Sequence, residues 1–262
     1  MLSLLKIEWL KIKNYRTFWI LTGLFAVFMP LFNYLLANGV MKMGPGEMSL
    51  SYGFPSVWGF FGFVASFFVV FIAFVIVILI TNEHRYRTNR QNVIDGWSRL
   101  EFFHAKVLLT VKLAALTAIY TGIWCIIFGA GYGGGFKNAT QEMEKLFYFF
   151  LLCLNYYGFA LMLSFLLKRS GLVIGLYMVY VLMVESIASS YLNWQFEGSY
   201  IGNFLPLQCS DQLLPFPLMK IAQGMMSPQT TPPSDYAYAI ASCVYIALYY
   251  FITRQKLLKS DW

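Results

Sequence analysis

Few side chains in this sequence are of a type and spacing that could do covalent or metal chemistry. The two histidines, His84 and His104, lie in one polar stretch, and no HExxH motif is present. The four cysteines form neither a CxxC pair nor a cluster with histidine, so neither a zinc site nor a disulfide framework is predicted. Inside the apolar runs, Asp and Glu do not pair. We therefore expect a protein that is not itself an enzyme and that carries no metal or catalytic residue.

A glycine-rich stretch superficially resembles a nucleotide-binding loop. Residues 131–138 read GYGGGFKN, in which Phe136 replaces the second required glycine and Asn138 stands where Ser or Thr would bind magnesium. Glycines here more simply permit a turn. We therefore expect no cofactor and no nucleotide site in this chain.

One carboxylate, Glu185, lies within an apolar run. An ionisable side chain at membrane depth is costly, which makes it a candidate for a functional site. Glu185 could line a polar substrate path, or it could make a structural hydrogen bond to Ser186 or Ser189. The sequence leaves both interpretations open.

The amino-acid composition indicates the class of fold that holds these residues. Of 262 residues, 59% are apolar and 12% charged, against about 45–50% and about 25% in soluble domains. This excludes a soluble enzyme, a disordered chain and a fibrous protein. Strong apolar runs predict a single all-α integral membrane domain over residues 1–262, with six transmembrane helices. The spans lie at about 17–38, 57–81, 107–130, 146–167, 171–192 and 236–253.

The basic residues predict the orientation. All 19 lysines and arginines except Lys42, Lys137, Lys145 and Lys220 fall on one side of these six spans. Because cytoplasmic segments carry the excess of Lys and Arg, both termini are expected in the cytoplasm.

The segments outside the spans have distinct characters. Residues 1–16, up to Arg16, are predicted to form an interfacial amphipathic helix. One face of this helix carries Leu2, Leu5, Trp9 and Ile12, and Glu8 lies on another face. Residues 82–106 form the longest cytoplasmic loop, with Ser98 as the N-cap of a helix that runs into the third span. Residues 193–235 are apolar but broken by six prolines, which predicts re-entrant or interfacial helices rather than a span.

Small residues recur at four-residue spacing in two of the spans. Ala114, Ala118 and Gly122 lie in the third span, and Gly171 and Gly175 in the fifth. Such spacing permits close helix packing, either within one subunit or across a dimer.

This layout resembles the permease subunits of ABC-2-type ABC transporters, which have the type V exporter fold. The opening IEWLKIKNYRTFWIL is similar to the start of that family. In the loop, the similarity rests on Glu83, on Arg87-Thr88, and on Ser98-Arg99-Leu100-Glu101 with Lys106. The family often has proline before the Ser-Arg element, where this chain has Gly96-Trp97.

The resemblance implies a dimer of permeases, identical or related, paired with two ATPase subunits that bind ATP and magnesium. It also implies a short coupling helix in the 82–106 loop that docks on the ATPase and transmits its closure. The residues assigned to this coupling are Glu83, Arg87, Thr88, Arg90, Asp95, Trp97, Arg99, Glu101 and Lys106.

The function expected from these features is that of a permease subunit of an ATP-driven exporter in the bacterial cytoplasmic (inner) membrane, surrounded by the lipid bilayer. Two other classes stay open: an ATPase-independent channel or secondary transporter, and a membrane scaffold or immunity protein. A secondary transporter typically shows several midplane charges or an inverted repeat, whereas this sequence shows one off-centre carboxylate, Glu185. We do not expect a nucleic acid among the partners of this protein.

Overall fold

The structure is a computed structural model that describes residues 2–39, 52–86, 88, 98–133, 135–196, 200–215 and 233–259, with side chains from Glu8 onward. Every regular element in these residues is helical, which confirms the all-α part of the predicted fold class. The helices are α1 (Leu2–Lys13), α2 (Arg16–Ala37), α3 (Val57–Arg85), α4 (Arg99–Tyr132), α5 (Glu144–Leu167), α6 (Ser170–Gln195), α7 (Gln208–Asp211) and α8 (Asp235–Lys259), with a 3-10 turn at Ile201–Phe204.

Six helices, α2 to α6 and α8, are long and apolar enough to cross a membrane. The chain is thus a multi-pass membrane protein, as its composition predicts. Several helices extend past the predicted spans: α3 ends at Arg85 rather than near residue 81, and α4 begins at Arg99 rather than near residue 107. Both extensions carry charged residues, which end an apolar run in the sequence but do not end helical hydrogen bonding.

The start of α4 is fixed by a capping box. The Ser98 hydroxyl accepts a hydrogen bond from the backbone N–H of Glu101 at 3.1 Å, and the Glu101 carboxylate accepts one from the backbone N–H of Ser98 at 2.8 Å. Two otherwise unsatisfied donors are paired in this way. The predicted N-cap is therefore confirmed.

The helix α5 forms the centre of the bundle. In the apolar 18-residue stretch of α5, 72% of the residues are buried, compared with 17% in the corresponding stretch of α6 and 22% in that of α8. A Cβ on Gly122 of α4 would lie 3.0 Å from the side chain of Leu146 in α5, so this glycine permits close packing within the chain. A Cβ on Gly171 or Gly175 of α6 would meet nothing within 4 Å. The small residues of α6 therefore face away from the rest of the described chain.

Contacts between helices define one end of the bundle. The His84 ring of α3 packs edge-on against Phe165 of α5, and His104 of α4 hydrogen-bonds to the hydroxyl of Tyr250 of α8 at 2.9 Å. We call this the basic end, because the helix ends that meet here carry Arg16, Arg85, Arg99, Lys168, Arg169, Arg254, Lys256 and Lys259.

At the opposite end, residues 200–215 pack between α5, α6 and α8. Leu207 and Cys209 in this segment are at most 1% exposed. The Asn155 side chain donates to the carbonyl of Pro206 at 2.7 Å. Asn155 lies near the middle of α5, roughly 16 Å from its first residue at the rise of an α-helix. The segment therefore reaches well into the bundle, while residues 216–232, the rest of the predicted re-entrant region, lie outside the described residues.

Candidate functional site

Four charged side chains, three of them largely buried, form a network where α1, α3 and α4 meet at the basic end. The Lys106 ammonium donates to Glu8 Oε2 at 2.5 Å and to Glu83 Oε1 at 2.6 Å. The Lys11 ammonium donates to Glu8 Oε1 at 3.2 Å and to the same Glu83 oxygen at 3.3 Å. Two carboxylates and two ammonium groups balance, so the network carries no net formal charge.

Burial makes this network energetically sensitive. The side chains of Lys106 and Glu8 are 1% and 2% exposed, and that of Glu83 is 11% exposed. Removing a charge from water costs several kcal/mol unless partners replace the lost solvation. Lys106 is the deepest cation of the network and touches both carboxylates, so their solvation depends mainly on it.

The pKa shifts of the two α1 residues follow from this arrangement. Burial by itself raises the pKa of Glu8, but the charges of Lys106 and Lys11 and the hydrogen bonds from both outweigh burial and lower it. Burial by itself lowers the pKa of Lys11, but Glu83 and Glu8 outweigh it and raise that pKa above its usual value. Both shifts favour the charged forms, so Glu8 and Lys11 are ionised at neutral pH.

Further contacts attach α1 and the α1–α2 junction to the bundle. Ile12 is 1% exposed, and the Lys112 ammonium lies 4.8 Å from the centre of the Trp9 ring. The Asn82 side chain of α3 donates to the Tyr15 hydroxyl at 2.6 Å. Trp9 and Ile12 thus contact the rest of the chain, and the location of α1 in the membrane interface stays a prediction. Arg16 is exposed, and the Leu5 side chain lies outside the described residues.

The sequence singles out two members of this network, Glu83 and Lys106, as ATPase-coupling residues. The structure pairs them with each other, and their role in coupling stays a prediction. The sequence places Glu8 off the apolar stripe of α1, and the structure buries its side chain in the contact with α4. The spacing of Glu8 and Lys11, three residues apart with opposite charges, was the signal that could have identified the α1 contribution.

The remaining coupling residues are described only in part. Arg99 and Glu101 are exposed at the start of α4, and the Thr88 hydroxyl donates to the backbone carbonyl of Glu83 at 3.4 Å. Four residues predicted to contact the ATPase lie outside the described residues: Arg87, Arg90, Asp95 and Trp97.

Glu185 lies at a second buried polar cluster, near the opposite end. It follows a π-helical turn at residues 180–184, and it is 4% exposed. Its Oε1 accepts hydrogen bonds from the backbone N–H groups of Leu207 at 2.6 Å and Gln208 at 3.0 Å. The expected partners Ser186 and Ser189 are thus not the ones that the structure gives, and Glu185 instead holds the start of α7.

Asp211, at the end of α7, was not identified from the sequence. The Tyr156 hydroxyl lies 2.9 and 3.0 Å from its two carboxylate oxygens. Burial raises the pKa of Asp211 to about 7; the Tyr156 hydrogen bond opposes this rise and Glu185 adds to it. Because Asp211 falls in a proline-rich connector, no periodicity signals its burial.

In the described residues, no group of three or more His, Cys, Asp or Glu side chains is placed to hold a metal ion. No curated protein matches the chain significantly. Residues 24–262 match the model of a family described as "Protein of unknown function (DUF2705)". The match covers most of the chain and almost all of the helical bundle, and the chain therefore belongs to the DUF2705 family.

Proposed function

We propose that this chain is the membrane-spanning permease subunit of an ATP-driven exporter of the ABC-2 type, in a bacterial cytoplasmic membrane. Two copies, or one copy with a related chain, enclose the substrate path. Separate ATPase subunits bind ATP and magnesium and dock on the loop between α3 and α4. In this arrangement the basic end is cytoplasmic.

The observation that carries the proposal is the charge network at the base of that loop. Glu83 lies in the last turn of α3 and Lys106 in the first turns of α4, so both sides of the loop are tied to each other. Glu8 ties the same point to α1. A force on the loop is therefore transmitted to two spans and to α1 together, as a rigid coupling element requires.

Two further features support the arrangement. No described residue lies against the α6 face that carries Gly171 and Gly175, which suits close packing against a second permease. Residues 200–215 enter the bundle from the end opposite the loop, and we propose that they are re-entrant and close the outer side of the path.

ATPase stimulation by the reconstituted complex tests the proposal. The test variant combines Arg99→Glu with Glu101→Lys, which reverses the charges of two exposed side chains at the start of α4. We expect loss of assembly with the ATPase and loss of its stimulation, because docking needs matched charges across the interface.

Glu101 also caps α4, so this variant needs a matched control. Ser98→Ala removes the capping hydroxyl but leaves both charges in place. Stimulation should survive in Ser98→Ala and fail in the charge-reversed variant. Equal stimulation in the charge-reversed variant and the unaltered protein would contradict docking at this site.

A further inference from the structure

The cluster formed by Glu185 and Asp211 has no part in the proposed coupling. Glu185 binds the amides of Leu207 and Gln208 at the start of α7, and Asp211 is the last residue of α7. The length of this helix is about 6 Å at the α-helical rise. The two carboxyl groups therefore lie at the two ends of a single helical turn.

No positive charge is paired with these carboxyl groups in the described part of the chain. The described ion pairs involve other acids. The titratable side chains that face the two acids are neutral in their ordinary state: Tyr156 from α5, Tyr177 and Tyr180 from α6, Cys209 from α7, and Tyr245 and Tyr249 from α8. Two neighbouring carboxylates in a low-dielectric site cannot both be ionised without a large cost.

Unpartnered polar groups beside the acids point to what the site binds. Among the described residues, no partner hydrogen-bonds to the Tyr177 hydroxyl, and this side chain is 0% exposed. Asn155, also 0% exposed, binds the α7 segment through Nδ2, while its Oδ1 has no partner in the same described part of the chain. A carboxylate only accepts hydrogen bonds, whereas a protonated carboxyl also donates one. Adding a proton therefore supplies a donor in a cluster that has an unpartnered acceptor.

We propose that Glu185 and Asp211 bind one proton between them, and that this proton keeps residues 200–215 seated in the bundle. On deprotonation one carboxyl O–H bond breaks, the proton passes to water, and two carboxylates remain at the two ends of α7. Their repulsion is relieved when the segment moves outward. This goes beyond the proposed function and does not depend on ATPase coupling.

Infrared spectroscopy of the full chain in lipid nanodiscs tests the proton directly. The C=O band of a protonated carboxyl, identified by its shift in heavy water, is followed from about pH 5 to about pH 9. We expect a band that persists above the range in which exposed carboxyls ionise, at about pH 4. The band should vanish in the double variant Asp211→Asn with Glu185→Gln and remain in Glu101→Gln, which alters an exposed carboxyl. Absence of the band at pH 6 in the unaltered protein, or its persistence in the double variant, would overturn the proposal.

The reactivity of Cys209 tests the seating of the segment. Cys125, Cys153 and Cys243 are replaced by alanine, which leaves the buried Cys209 as the single thiol. Maleimide labelling is compared at each pH with the same chain carrying the neutral double variant, which separates the effect of the two carboxyl groups from the general rise of thiol reactivity with pH. Because one proton is released, the ratio of the two rates should rise by up to about tenfold per pH unit through the titration. A ratio that does not change with pH contradicts the role of the proton in seating.

Discussion

Replacing Lys106 with methionine tests whether the charge network holds α1, α3 and α4 together. Methionine keeps an apolar stem but removes the ammonium, leaving Glu8 and Glu83, 2% and 11% exposed, with Lys11 as the remaining cation of the network. Removing one partner of a buried ion pair costs about 3–5 kcal/mol. We expect this loss in the free energy of unfolding, which is a change of about a hundredfold to several thousandfold in the unfolding equilibrium constant. Reversible denaturation of the purified chain in bicelles measures it.

Lys112→Met is the matched control, because it removes a lysine from the same helix. Lys112 is exposed and contacts the Trp9 ring at 4.8 Å. A cation–π contact at an exposed site contributes about 0.5–1 kcal/mol, so the loss should be several times smaller than at Lys106. If the two substitutions lower the free energy of unfolding equally, the network does not stabilise the junction and the reasoning is refuted.

Three other predictions concern stability, measured by the same denaturation assay. The pKa of Glu8 is lowered from its ordinary value of 4.5, and the pKa of Lys11 is raised from its ordinary value of 10.5. These shifts predict that the interactions of Glu8 and Lys11 stabilise the fold fully in the pH range between those two ordinary values. This contribution is lost as pH falls through the Glu8 pKa or rises through the Lys11 pKa, and a stability that peaks outside this window would contradict the ionised network. Ser98→Ala should cost about 1 kcal/mol through loss of the helix cap, with faster amide exchange in the first turn of α4; unchanged exchange would argue against the cap. Gly202→Ala would place a Cβ 2.2 Å from a backbone oxygen of α6, so it should destabilise the chain, whereas Gly23→Ala in α2 meets nothing within 4 Å among the described residues and should have little effect. Equal effects of the two alanines would contradict the seating of residues 200–215.

The sequence predicts the six long helices because each apolar run is long enough to span a bilayer and is bounded by polar residues. For the start of α4, the helix-capping residues are a better signal than hydropathy. Ser98 and Glu101 signal a helix start well before the apolar run begins, and the helix does begin there. Local signals thus suffice where the structure is decided by neighbouring residues.

The charge network depends on contacts that local signals do not contain. Glu8 and Lys106 are 98 residues apart in sequence, and each has an ordinary local explanation as part of a charged segment flanking a span. Burial and pairing follow only once α1 is docked against α4. Asp211 is similar, because its contact with Tyr156 comes from how residues 200–215 enter the bundle.

Purification from native membranes in mild detergent, with mass spectrometry of the associated proteins, tests the proposed function most directly. We predict recovery of a soluble ATPase that carries a Walker A motif, together with a second permease copy, identical or related. Charge reversal at Arg99 and Glu101 should remove the ATPase from the preparation while the permease is still recovered. If the unaltered chain is recovered alone in several detergents, and added ATP changes nothing, the assignment as an ATP-driven permease is contradicted.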